Sequence, residues 1–273
     1  MIDEVKKYVR EFDNFNELIT ISKQIFVDKN KSNEIRDTNE WNFPLLLIYT
    51  KYVSTCESVL ILCQQGKGHD AACLTRSLPE SLINFLTILK NPKYYGLMYR
   101  RSYFITRLEG HGKTKNHEFN KGKDYFDWNI DEFMIEEEIK SQDEALIKIN
   151  PDYNKIDQSK HDQRGEWSGL SFKEMANSLG KEVLWQYEYY YWLLSDFSHN
   201  NPFWLQVDFI NDNDSHKIKI GENPSQDFVQ FITMVAGEYL LNMIVNANTF
   251  FQLGKENIIE PVKNEYYRIQ NNS

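Results

Sequence analysis

The sequence predicts a mainly α fold: a multi-helix bundle with a small β-hairpin near 205–220 and a charged peripheral insertion at 110–166. Three observations carry that expectation. Apolar residues recur at spacings of three and four over several long stretches. Those stretches hold almost no charge: only Lys51 and Glu57 between Pro44 and Gln65, only Arg76 and Glu80 between Ala71 and Leu89, only Glu238 between Phe228 and Leu253. Helices so apolar on most faces are buried on several sides. Residues 110–166 differ, being rich in charge and poor in aliphatic runs.

Taken in order, residues 3–27 predict an amphipathic helix through Val5, Val9, Phe12, Phe15, Leu18 and Ile19. A second helix runs from Pro44 to Gln65, with the proline suited to a first turn. "QGKG" (65–68) is a tight break before a third helix over 69–89, and a fourth covers 93–109. An acidic helix near 131–149 lies inside the insertion. "WSGLSFKEMANSLG" (167–180) reads as a turn and a short helix, Ser171 capping its start and Glu174 completing a capping box. A long helix follows over 181–198. "FWLQVDFINDNDSHKIKIG" alternates around a polar turn, which predicts the hairpin. The last long helix runs over 225–253. The whole chain, 1–273, is expected to form one helical domain carrying the 110–166 arm.

With 41% hydrophobic and 14% aromatic residues the chain is globular. Its net charge of -9 argues against a broad nucleic-acid surface while leaving room for a local basic patch. Cys56, Cys63 and Cys73 lack metal-like spacing and read as buried free thiols. The charged start "MIDEVKKYVREF" is unlike a signal peptide, and the apolar "FPLLLIYTKYV" carries Lys51. No membrane association and a cytoplasmic location are therefore expected. Abundant asparagine and lysine suggest an AT-rich bacterial genome.

A charge in an apolar helix needs a partner. Arg76 and Glu80, four apart, share a helix face, and an antiparallel hairpin about residue 67 brings Glu57 level with Arg76. Glu57, Arg76 and Glu80 are thus expected to cluster, either as an internal ion network or as one wall of a pocket. The helix "KEVLWQYEYYYWLLSDFS" supplies a second wall, with Tyr191, Ser195 and His199 recurring along one face. His199 stands where the helix dipole favours imidazolium. It is either a polar helix stop before "NNP" or a general acid/base.

"GHDAACLTRSLPES" (68–81) resembles the R-x-x-x-E helix of the domain-of-unknown-function 5677 family, an uncharacterised, mainly bacterial helical group. "WSGLSFKEMANSLG" followed by "YYYWLLSDFSH" resembles that family's later signature, a tryptophan-glycine turn and a tyrosine-rich helix ending in S-x-x-x-H. The matching positions are Arg76, Glu80, Trp167, Gly169, Tyr191, Ser195 and His199, and Pro79 is a departure. The resemblance implies a helical fold and a site but no reaction. More loosely, the helices are similar to helical ribonuclease domains of toxin–antitoxin and phage-defence systems, which use R-x(4–6)-H. No arginine stands four to seven residues before His199, and "RLEGH" is one residue too short, so Arg76 would have to serve from another helix.

His111 and His117, six apart with Glu118 next to the second, have no third strong ligand at diagnostic spacing, and no phosphate-loop, G-x-S-x-G or H-E-x-x-H motif occurs, so no metal or cofactor is expected. Residues 90–123 hold nine Lys or Arg against Glu109 and Glu118, interleaved with Tyr94, Tyr95, Tyr99 and Tyr103. That block either binds single-stranded RNA, through Arg100, Arg101 and Arg107, or is balanced by the acidic stretch 124–144. Two functions follow. In one, an RNA-directed nuclease of a defence or toxin setting uses His199 as acid/base, Arg76 on a phosphate, Glu57 or Glu80 for positioning, with Ser195 and Tyr191 beside them. In the other, a non-catalytic helical module binds a protein or small ligand, with the same cluster as structural glue. A homodimer and an antitoxin-like protein are the macromolecular partners this reading entertains.

Overall fold

Glycine, proline and capping side chains set the helix boundaries in the computed structural model, which describes residues 3–26, 41–116, 131–155, 167–198 and 228–271. A 3-10 turn (Asp3–Tyr8) leads into α1 (Val9–Gln24). Then come α2 (Phe43–Gln64), α3 (Gly68–Thr75), α4 (Ser77–Lys90), α5 (Pro92–Asn116) and α6 (Glu132–Ile149). A 3-10 turn (Pro151–Lys155) and α7 (Phe172–Leu179) follow. Next are α8 (Lys181–Gln186), a π-helical turn (Tyr187–Tyr191) and α9 (Trp192–Ser198). The described chain closes with α10 (Val229–Phe251) and α11 (Glu256–Gln270).

The predicted fold class needs one correction. Among the described residues every regular element is helical and none is a strand, so the small β-hairpin drops out of the architecture. Alternation by itself is a weak signal, because a lone two-stranded hairpin is marginal without a third strand or an apolar surface beneath it. The stretch that suggested it, 205–220, lies outside the described residues.

The chain divides into two compact units: Met1–Asp37, Leu47–Leu86 and Leu179–Ser273 form the first, Thr38–Leu46 and Thr87–Ser178 the second. In unit 1, α1 packs on α10 and α11, and α3 packs on α9 and α10. α10 carries the centre of this core, with Val229, Ile232, Val235, Ala236, Leu240 and Ile244 among its buried residues. At Gly237 an added Cβ would stand 2.8 Å from the Tyr266 ring of α11. The α2–α3 connection is a glycine-capped stop: Gly66 takes φ 70, its N–H donates to Cys63 O at 2.9 Å, and Lys67 N–H donates to Leu62 O at 2.9 Å. α2 is the one described helix long and apolar enough to cross a membrane, and half of its apolar window is buried within the protein.

In unit 2, α5 packs along α6. Gly96 of α5 lets the backbone of Trp41 approach, since a Cβ there would meet the Trp41 carbonyl oxygen at 2.5 Å. Trp167, buried, stands edge-on to the rings of Tyr95 and Tyr99, with centroids 6.0 and 5.2 Å away. Gly169 turns the chain after it at φ 75. The capping box of α7 is formed: Ser171 N–H donates to Glu174 Oε2 at 2.8 Å, and Glu174 N–H donates to Ser171 Oγ at 3.3 Å. The bonds from Ser171 hold the Glu174 carboxyl below its ordinary range.

Candidate functional site

Arg76 stands at a break. The helix expected over 69–89 is two helices, α3 and α4, with Arg76 the single residue between them. Pro79 accounts for the interruption, having no N–H for the Thr75 carbonyl and a ring that crowds it. Arg76 keeps helical angles (φ -53, ψ -30), and its N–H reaches Ala72 O at 3.0 Å, so the two helices remain nearly in line.

From that junction the half-buried side chain reaches the far wall of unit 1. Its Nε donates to Ser195 Oγ at 3.0 Å, and Nη2 donates to the Tyr191 hydroxyl at 2.6 Å. The guanidinium carbon lies 4.8 Å from the centre of the Tyr191 ring. Tyr187 stacks on Tyr191, centroids 4.9 Å apart and planes 24° from parallel. Both tyrosines belong to the π-helical turn, which adds a residue to the helix at this point. Burial, then Tyr191 and Glu80, push the Tyr187 phenol up to about 12, while Arg76 draws it down.

Arg76 thus meets Tyr191 and Ser195 directly, and Tyr187 feels both Arg76 and Glu80. Glu57 is elsewhere: its carboxylate pairs with Lys23 of α1, and the side chain is 40% exposed. No ion pair joins Arg76 to either glutamate among the described residues. His199, which follows α9 directly, lies outside the described residues, as do His117 and Glu118.

His69 joins Arg76 on this wall without a sequence motif to mark it. Its Nε2 lies 3.0 Å from the Phe197 carbonyl oxygen, and its ring stands edge-on to Phe197 at 5.5 Å. A carbonyl only accepts, so Nε2 carries the hydrogen. His69 and Arg76 are seven apart, two turns along one face of α3. α9 runs antiparallel beside that face, placing Phe197 by His69 and the Tyr191–Ser195 segment by Arg76. The seven-residue interval was legible in the sequence, but nothing there named the partner.

In unit 2 the basic block meets the acidic helix. Arg100 Nη2 lies 3.3 Å from Glu138 Oε2, and Arg101 Nε lies 2.6 Å from Asp143 Oδ1, which also accepts from the Tyr153 hydroxyl at 3.2 Å. Arg107, half-buried, makes no ion pair among the described residues. No three of the described His, Cys, Asp and Glu side chains gather as a metal site would require. Burial raises all three thiols, Cys63 up to about 12, which makes poor nucleophiles of them.

Chemically, the site offers an oriented cation. A guanidinium has five N–H donors, and the two hydroxyls take two of them. Neutral acceptors fix its direction without cancelling its charge, and the remaining donors suit a planar or tetrahedral oxyanion.

Comparison with curated proteins and with solved structures gives no match to this chain. A family model described as "Family of unknown function (DUF5677)" matches residues 42–217, which include Arg76, Glu80, Trp167, Gly169, Tyr191, Ser195 and His199. The match spans more than half of the sequence, and the chain belongs to that family.

Proposed function

We propose that unit 1 recognises a phosphate of RNA at Arg76 and cleaves the adjoining phosphodiester, as a nuclease in a toxin or phage-defence setting. One observation carries the reading: the Arg76 guanidinium is held by the hydroxyls of Ser195 and Tyr191 and, among the described residues, by no carboxylate. Such a cation is poised for an anion, where an ion-paired arginine would first have to break its pair. In this scheme Arg76 holds the phosphate and stabilises charge developing on its oxygens. Ser195 and Tyr191 position Arg76, Glu80 tunes the field, and His199 supplies proton transfer.

The test expresses wild type, Arg76→Ala and His199→Ala from a controlled promoter and follows growth and RNA integrity. The expectation is growth arrest with RNA breakdown in the wild type and loss of both in either variant, with circular dichroism showing each folded. Equal behaviour of all three folded proteins would sink the nuclease reading. A second reading rests on the same contacts: Arg76 clasps α3 to the Tyr191–Ser195 segment, and the protein is a non-catalytic binding module. Under it, Arg76→Ala lowers the melting temperature and the RNA stays intact in every strain.

A further inference from the structure

Among the described residues, α2 shows an unpartnered face. Leu47 is 54% exposed and Ile61 59%, and Thr50, Lys51, Ser54 and Ser58 are exposed between them. Leu47 and Ile61 stand seven residues either side of Ser54, which puts both within roughly 20° of its direction on the helix. Lys51 makes no side-chain bond among the described residues, and the Glu57 carboxylate engages Lys23 through Oε1 alone.

We propose that this face of α2, Leu47 to Ile61, seats a second copy of the chain, antiparallel about a twofold axis at Ser54. In that arrangement residues equally distant from Ser54 come level with one another. Leu47 then meets Ile61 of the second copy at both ends, and Thr50 lies level with Ser58. Lys51 comes level with Glu57, so each cation is placed near a carboxylate. Ser54 faces itself, and its small side chain lets two helices approach to the usual 8–10 Å. A parallel pair would set Lys51 against Lys51 and Glu57 against Glu57, so charge selects the antiparallel register. The same two charges, in the middle of α2, disfavour lipid as the occupant. The contact is isologous, closing as a dimer without propagating.

Cysteine crosslinking tests the register. Ser54→Cys, oxidised, is expected to give a reducible dimer well above the wild-type background, which is set by the half-buried Cys73 because Cys56 and Cys63 are buried. Ser58→Cys alone should not crosslink. Its two copies would sit eight residues apart along the axis, about 12 Å at 1.5 Å per residue, beyond the roughly 7 Å that a disulfide spans between Cα atoms. A mixture of Thr50→Cys and Ser58→Cys proteins should crosslink where neither does alone. Adding Leu47→Glu and Ile61→Glu to Ser54→Cys should abolish the dimer without changing the circular dichroism, because both side chains are exposed. Crosslinking of Ser58→Cys as strong as that of Ser54→Cys, or none by a folded Ser54→Cys protein, overturns the proposal. So does flotation of the wild type with anionic phospholipid vesicles that Leu47→Glu and Ile61→Glu prevent, since the face would then belong to a membrane.

Discussion

Arg101 of the basic helix α5 in unit 2 and Arg76 at the α3–α4 junction in unit 1 both stand beside tyrosines, and their surroundings treat them in opposite ways. Arg101 is 7% exposed, and its Nε meets the carboxylate of Asp143, which also takes the Tyr153 hydroxyl. Arg76 is less deeply set, and among the described residues its hydrogen-bond partners are hydroxyls, one of them carried by the ring it lies over. A carboxylate partner cancels charge and locks two helices together, here α5 and α6. Hydroxyl partners aim the cation and leave its charge outstanding. The burial of an arginine is thus a poor guide to its role, and the chemistry of its acceptors a better one.

Substituting each arginine sharpens the contrast. Arg101→Met leaves Asp143 without its cation, and a stability loss of about 2 kcal/mol is expected in urea unfolding, moderated by the water that reaches Asp143. Arg76→Met removes two hydrogen bonds to hydroxyls and should cost about 1 kcal/mol in the same measurement. Equal losses would erase the distinction drawn between the two sites. The smallest effect is expected at Glu238, the lone charge of α10. It accepts from Gln186 Nε2 at 3.3 Å, and burial followed by Glu182 raises its pKa. A raised carboxyl favours folding while protonated, and that contribution is lost as pH rises through the folded-state value. Glu238→Gln should therefore stabilise the protein at neutral pH by about 0.5 kcal/mol, the partial exposure limiting the gain. The advantage should disappear in acid, below the ordinary glutamate range, as thermal melts at the two pH values would show.

Much of this was legible in the sequence where a local rule decided the outcome. Sparse charge marked α10 as buried but misjudged α2, one face of which is exposed; "QGKG" marked the stop after α2, and Ser171 with Glu174 marked the capping box. The basic and acidic blocks implied each other, and Arg100 and Arg101 find Glu138 and Asp143. What failed needed knowledge of a third element. Folding α2 back on α3 set Glu57 level with Arg76, but α1 brings Lys23 to Glu57 first. Helical spacing put Tyr191 and Ser195 on one face, yet it could not say that Arg76 would meet both from a helix more than a hundred residues earlier. The alternation that suggested a hairpin belongs to the same class, since pairing in a sheet depends on neighbours that a local pattern does not name.

The π-helical turn at Tyr187–Tyr191 works as a phase shifter. One residue more than the regular helix allows changes the direction of every side chain after it by roughly 100°. Ser195 and Phe197 lie downstream of that shift, and they are the residues that meet Arg76 and His69. Removing a single residue from the turn would relax it to regular helix and swing Ser195 off the guanidinium, with every contact residue still present in the chain. What the turn preserves is timing along the helix, so the site can be lost to a deletion that removes none of its members.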